Sequence, residues 1–255
     1  MMRLTALLLS LVVCLAGCDQ KEAGQEGKVV NKQADQQEKV ARKQADQEEK
    51  AVEAPADQEE KAVNAILKLG GMVKRDENLP GEPVVGISLS KTKVTDSDLK
   101  DLKELRGLQE LYLGDTQITD AGLKNLKELN GLMALDLSGT QITDAGLKEL
   151  KELEGLQYLE LRSTQITDAG LKELEALKYL DLNYTRITDA GLKQLKEFKV
   201  LEELWLSGTR ITDAGLKDLK ELKGLKRLHL MQTHITDAGL KDLKQALPTT
   251  EIYGP

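Results

Sequence analysis

The stretch from Leu111 to Leu123, LYLGDTQITDAGL, decides how the rest of the chain reads. Its second half, ITDAGL, starts at Ile118 and returns at Ile142, Ile166, Ile187, Ile211 and Ile235, with a worn version, VTDSDL, at Val94. The copies step by 24 residues, except for one step of 21 from Ile166 to Ile187. A fixed period of this size marks one supersecondary unit stacked many times. Within a unit, Leu111 and Leu113 alternate and so face one side of a short strand. Leu123, Leu126, Leu129 and Leu132 recur at three, which is a helical stripe. Thr119 or Asp120 stands where that helix needs an N-cap, and an Asp there suits the helix dipole. Thr92, Thr116, Thr140, Thr164, Thr185, Thr209 and Thr233 fall at the turn after the strand. Their hydroxyls are expected to bond backbone groups of the neighbouring turn. Each period thus reads as strand, turn and helix, and only stacking buries its leucines.

The run Leu108-x-x-Leu111-x-Leu113-x-x-Thr116-x-Ile118 resembles the leucine-rich repeat, LxxLxLxxN/CxL, with Thr in the Asn/Cys place. The ITDAGL phrase makes it most similar to the cysteine-containing class. The resemblance covers about Val84 to Ile252. It implies an α/β solenoid, a horseshoe with parallel strands on the concave face and helices on the convex face. Residues 84–255 then hold seven repeats and a C-terminal half-repeat. The short copy from Ile166 lacks one leucine triplet of its helix, which predicts a local change of curvature with the strand intact.

Upstream the character of the chain changes. The first 18 residues, MMRLTALLLSLVVCLAGC, place Arg3 before an apolar run from Leu4 to Ala16. That is the shape of a secretory signal and too short for a membrane span. The end, Leu15-Ala16-Gly17-Cys18, resembles the lipobox of bacterial lipoproteins. The resemblance implies a signal peptide at 1–17, acylation of Cys18, and a lipid-anchored protein of the bacterial envelope facing the periplasm or exterior. Asp19 after the Cys slightly favours the inner membrane. Residues 18–60 form a polar tether with an 11-residue repeat: KQADQQEKVAR from Lys32, KQADQEEKAVE from Lys43 and APADQEEKAVN from Ala54. Its thin apolar seam (Val40, Val52, Val63) leaves two readings, a solvated spacer or a weakly self-associating coil over 32–64. Pro55 interrupts any helix there. Residues 61–83 read as an N-terminal cap, with a helix in AVNAILKL, a stop at Gly70-Gly71 and a strand at Met72–Arg75.

Composition excludes several functions. The formal charge is −7 and no basic stripe stands out, so no nucleic-acid surface is expected. The only cysteines are Cys14 and Cys18, which rules out a disulfide framework or a Cys metal site downstream. His229 and His234 are the only histidines and have no third ligand, and no phosphate-binding loop or nucleophile elbow occurs. No cofactor is implied.

Function is sought where the copies disagree. The residue after the second Leu of each strand runs Ser88, Tyr112, Asp136, Glu160, Asp181, Trp205, His229. The residue before it runs Gly86, Glu110, Ala134, Tyr158, Tyr179, Glu203, Arg227. Next to the turn, Arg162 and Tyr184 stand out. The chain owns seven aromatic residues, and Tyr112, Tyr158, Tyr179, Tyr184 and Trp205 are five of them. Phe198 replaces a core Leu, and Tyr253 lies near the C-terminus. Tyr and Trp dominate binding hot spots, although Tyr158 and Tyr179 could also simply stack across strands.

Asp136, Glu160 and Asp181 fall on consecutive rungs, about 4.8 Å apart. Such a row raises at least one carboxyl pKa unless a cation such as Arg162 answers it. The ligand expected on this face carries a cationic side chain, held by the carboxylates and the aromatic faces. Arg227 and His229 are expected to close the far end with opposite charge and give a bound peptide a direction. A carboxylate pair this close also occurs in retaining glycosidases, but an open surface cannot exclude water, so no catalysis is expected. The sequence therefore predicts a membrane-tethered module that binds a protein or peptide on its concave face. The alternatives are a cell-wall glycan surface and a structural spacer.

Overall fold

The computed structural model describes residues 57–174 and 177–254. The signal segment, Cys18 and the tether as far as residue 56 lie outside the described residues. Residues 57–68 are helical, so 57–60, which the sequence assigns to the tether, already belong to that helix. Ala62, Val63 and Ile66 on this helix are buried in the core. Val63 is therefore not available to a coil seam. Arg75 ties the helix down through Glu59 and Glu60, at 3.3 and 3.0 Å.

Nine strands follow in one sheet, in sequence order. They are β1 (Met72–Arg75), β2 (Val84–Ser88), β3 (Glu110–Tyr112), β4 (Ala134–Asp136), β5 (Tyr158–Glu160), β6 (Tyr179–Asp181), β7 (Glu203–Trp205), β8 (Arg227–His229) and β9 (Glu251–Tyr253). Strand β1 pairs antiparallel with β2, and every later pair is parallel. The parallel register never slips: Ile87, Leu111, Leu135, Leu159, Leu180, Leu204, Leu228 and Ile252 form one ladder. The short repeat keeps this register, pairing Tyr158 with Tyr179. On its convex side a groove of about 370 Å³ opens, lined by Leu150, Leu153, Leu156, Leu174 and Leu177.

The convex segments are less α-helical than the stripe suggests. The repeat at Ile118 has one α-turn, Asp120–Leu123, and then 3₁₀ helix at Lys124–Leu126. The short copy is 3₁₀ throughout, Asp168–Glu173. Other copies with the same spacing run as α-helix, Asp189–Leu195 and Asp237–Ala246. Residues three apart are neighbours on either helix type, so the spacing admits both.

The turn threonines behave differently from the expectation. Each hydroxyl donates to the carbonyl three residues back in its own turn, at 2.5–2.7 Å, as Thr116 does to Leu113. They close their own turns rather than bridging to neighbours.

The contact between copies is made by ITDAGL. Asp96, Asp120, Asp144, Asp168, Asp189 and Asp213 each accept two hydrogen bonds from the Thr of the next copy. One comes from its N–H at 2.8–2.9 Å and one from its hydroxyl at 2.5–2.7 Å. The cap of each ITDAGL turn is the Thr: Thr119 accepts from the Ala121 N–H. So the Thr caps, while the Asp staples one repeat to the next.

The concave aromatic and acidic face

The strands present two columns to the concave side, set by the residues before and after the ladder leucine. Five rings follow one another along them. Tyr158 and Tyr179 lie 6.3 Å apart with planes tilted by 33°. Tyr179 and Trp205 follow at 6.1 Å and 52°. Trp205 and His229 stack at 3.9 Å, and His229 and Tyr253 at 4.4 Å. Tyr253 was not among the residues expected in the site. Its signal was present, since Glu251-Ile252-Tyr253 repeats the strand pattern with Ile for Leu. The indole Nε1 of Trp205 is buried and has no acceptor among the described residues.

The acidic row lies in register, Asp136 beside Glu160 beside Asp181. Its members differ in exposure. Asp181 is only 4 % exposed, so it is not the open contact the sequence suggests. Asp136 and Asp181 each accept the N–H two residues on, from Ser138 at 2.8 Å and Asn183 at 2.7 Å. Burial raises the Glu160 carboxyl above the usual range, with Asp136 and Asp181 adding to the shift. Burial also raises Asp181, against the lowering effect of Asn183 and Arg162. Tyr179 is raised by burial and then by the carboxylates around it, so its phenol stays protonated.

Arg162 is not the ion-pair partner of the row. Among the described residues no Lys or Arg nitrogen lies within 4.0 Å of Asp136, Glu160 or Asp181. Its guanidinium lies over the Tyr184 ring, 5.1 Å from the centroid. Tyr184 sits at the turn with φ +57° and donates its phenol to Gln232 at 2.8 Å. These two side chains lock a rim of turns and are not part of the strand face.

The far end also departs from expectation. Arg227 is paired with Glu203 on the adjacent rung. His229 is lowered by burial and by Arg227, so it is uncharged at neutral pH. The end of the face is thus a ring stack beside the Arg227–Glu203 pair. Among the described residues no group of three His, Cys, Asp or Glu could hold a metal ion. His234 is exposed at its turn.

Comparison with known proteins agrees with this architecture. Residues 106–166 match a family model described as "Leucine rich repeat". Residues 176–196, 199–220 and 225–244 match a second model, described as "Leucine Rich repeat". No curated protein sequence matches the chain. Among solved structures, an internalin (inlF) from Listeria monocytogenes aligns at 26% identity with a TM-score of 0.55, over 66% of this chain and 47% of that one. An internalin C2 from the same organism aligns at 29% identity and a TM-score of 0.48, over 63% and 77%. The PEPR1–AtPEP1 structure aligns at 18% and 0.45, over 71% and 25%. The chain spans about half the length of the first internalin. The fold is an α/β leucine-rich repeat solenoid, a scaffold that serves generally for binding rather than catalysis.

Proposed function

We propose that the chain is a non-catalytic recognition module that binds a protein or peptide ligand on its concave face, held at a bacterial membrane through lipidated Cys18. One observation carries the reading. The staples and core positions are copied from repeat to repeat, while the concave columns vary and collect five rings in succession. Tyr158 and Tyr253 in that succession are 46% and 45% exposed. Core packing does not require them there. Exposed clustered aromatics are the usual anchors of a protein interface.

A glycan surface has less support. Sugar rings stack on aromatic faces, yet Trp205, His229 and Tyr253 cover one another's faces with planes only 17° and 16° apart. They offer edges, which suit the carbonyls and side chains of a polypeptide. Tethering rests on the sequence alone, on Cys18 behind Leu15-Ala16-Gly17.

Capture from an envelope extract tests the recognition face. The full chain is immobilised beside a Tyr158→Ala/Trp205→Ala variant, and the retained proteins are identified by mass spectrometry. A protein held by the wild type and lost by the variant supports the reading. Equal retention by both overturns it. Metabolic labelling with palmitate tests the anchor separately, since label must appear in the wild type and vanish in Cys18→Ser.

A further inference from the structure

The middle of the concave face is hollow. Tyr112, Tyr158 and Tyr179 wall a space of about 300 Å³, with Asp136 and Glu160 on its acidic side. Ala134 creates it. Along its column the neighbouring rungs carry Glu110 and Tyr158, and a methyl group between two long side chains leaves their length unfilled. The space therefore follows from one small residue at one rung.

No described cation makes an ion pair with its acids. Asp136, Glu160 and Asp181 occupy three consecutive rungs, and no described Lys or Arg reaches them. The same face does pair its other acids, Glu110 with Lys74 at 3.1 Å and Glu203 with Arg227. Around the hollow, by contrast, Asp136 and Glu160 make no ion pair among the described residues. The rings differ from those at the far end as well. Tyr158 and Tyr179 are tilted and 6.3 Å apart, so their faces are not covered by each other. A cation over such a face is attracted by the ring quadrupole. A metal ion does not fit, since no three His, Cys, Asp or Glu converge among the described residues.

We infer that this hollow receives a single cationic side chain, a lysine or arginine of the protein ligand. The inference rests on the concave-face reading and names what that face selects. The carboxylates supply the charge, the tyrosines supply faces and phenol donors, and Ala134 supplies room for the alkyl stem. Specificity then lies in the charge of one inserted residue, with the neutral ring stack from Trp205 to Tyr253 serving as apolar contact beside it.

The test uses the full-length protein and two short peptides, acetyl-Gly-Arg-Gly-amide and its neutral counterpart with citrulline for Arg. Isothermal titration at fixed ionic strength should show saturable binding of the Arg peptide and binding weaker by about tenfold or more for the citrulline peptide. Ala134→Phe fills the hollow and keeps every charge. Glu160→Gln keeps the hollow and removes a charge. Each should weaken the Arg peptide by a similar factor, with circular dichroism confirming that both variants are folded. The inference is overturned if the Arg peptide does not bind, if citrulline binds equally well, or if both variants bind like wild type. Its failure is separable from that of the recognition face. If Ala134→Phe still captures a partner that Tyr158→Ala/Trp205→Ala loses, the cation receptor falls and the face stands. If capture is indifferent to all of these changes, both fall.

Discussion

Asp144 accepts both the N–H and the hydroxyl of Thr167, one repeat further on, and its Oδ1 lies against Gly170 of that same repeat. A Cβ at Gly170 would collide with the carboxylate, and the same holds at Gly122, Gly146, Gly191, Gly215 and Gly239. The ITDAGL phrase is invariant because Thr, Asp and Gly from adjacent copies form one contact. The worn first copy confirms the logic. No staple Asp precedes Thr95, so it turns to its own Asp98, which accepts its N–H and hydroxyl at 2.8 and 2.7 Å and stands where later copies need Gly. Asp144→Ala should cost about 2 kcal/mol, since two bonds to a charged acceptor are lost. Urea unfolding measures this, and an unchanged midpoint refutes the staple. The acid limb carries a matching sign. Thr236 holds the Asp213 carboxyl below its usual range, so that staple's contribution is present at neutral pH and disappears only as pH falls through the lowered value. Gly208 makes a different demand. Its φ is +69° and the Tyr184 ring covers it. Gly208→Ala should destabilise by about 1 kcal/mol from the backbone alone, and part of any excess should vanish when Tyr184 is also Ala.

At the scale of elements, strands were the legible part. The period of two in Leu111 and Leu113 and the strict repeat fix both their facing and their register. The staple was not legible, because its partners sit 23 residues apart and one copy cannot show them. An Asp in a first helical turn already has a sufficient local reason to be there. Helix type was not legible, because a spacing of three suits both α and 3₁₀ geometry. Along the strands the acidic row was legible as residue types, while the burial of Asp181 and the diversion of Arg162 to Tyr184 needed coordinates. The row also has a cost in the free protein. Glu160 is raised above the ordinary carboxylate range, so the folded state holds its proton more tightly than the unfolded chain does. Stability is therefore lost as pH rises from the unfolded value through the raised one. Glu160→Gln lacks that loss. Its melting temperature should exceed that of wild type at neutral pH and converge with it below about pH 4. A variant that is no more stable at neutral pH would show that the row is internally compensated.

At the scale of the whole molecule, one core runs from Ala62 to Leu247, but each repeat touches only its neighbours. Stability is then nearly a sum of local terms, and damage should stay where it is made. The N-terminal end offers the clearest test. The helix at 57–68 closes the array by inserting Ile66, which is 4 % exposed, into the core that also holds Val84, Ile87 and Leu89. Strand β1 covers the edge of β2 that parallel pairing leaves open, and Arg75 joins both to the helix. Ile66→Ala removes three carbons from this junction and should cost about 2 to 4 kcal/mol locally. Hydrogen exchange resolves the location. Amides of β1 and β2 should exchange faster, while those of β6, β7 and β8, four or more rungs away, should keep their wild-type protection. A uniform acceleration across all nine strands would mean that the array unfolds as one unit, and that the staples couple repeats over distances far longer than their single-step reach.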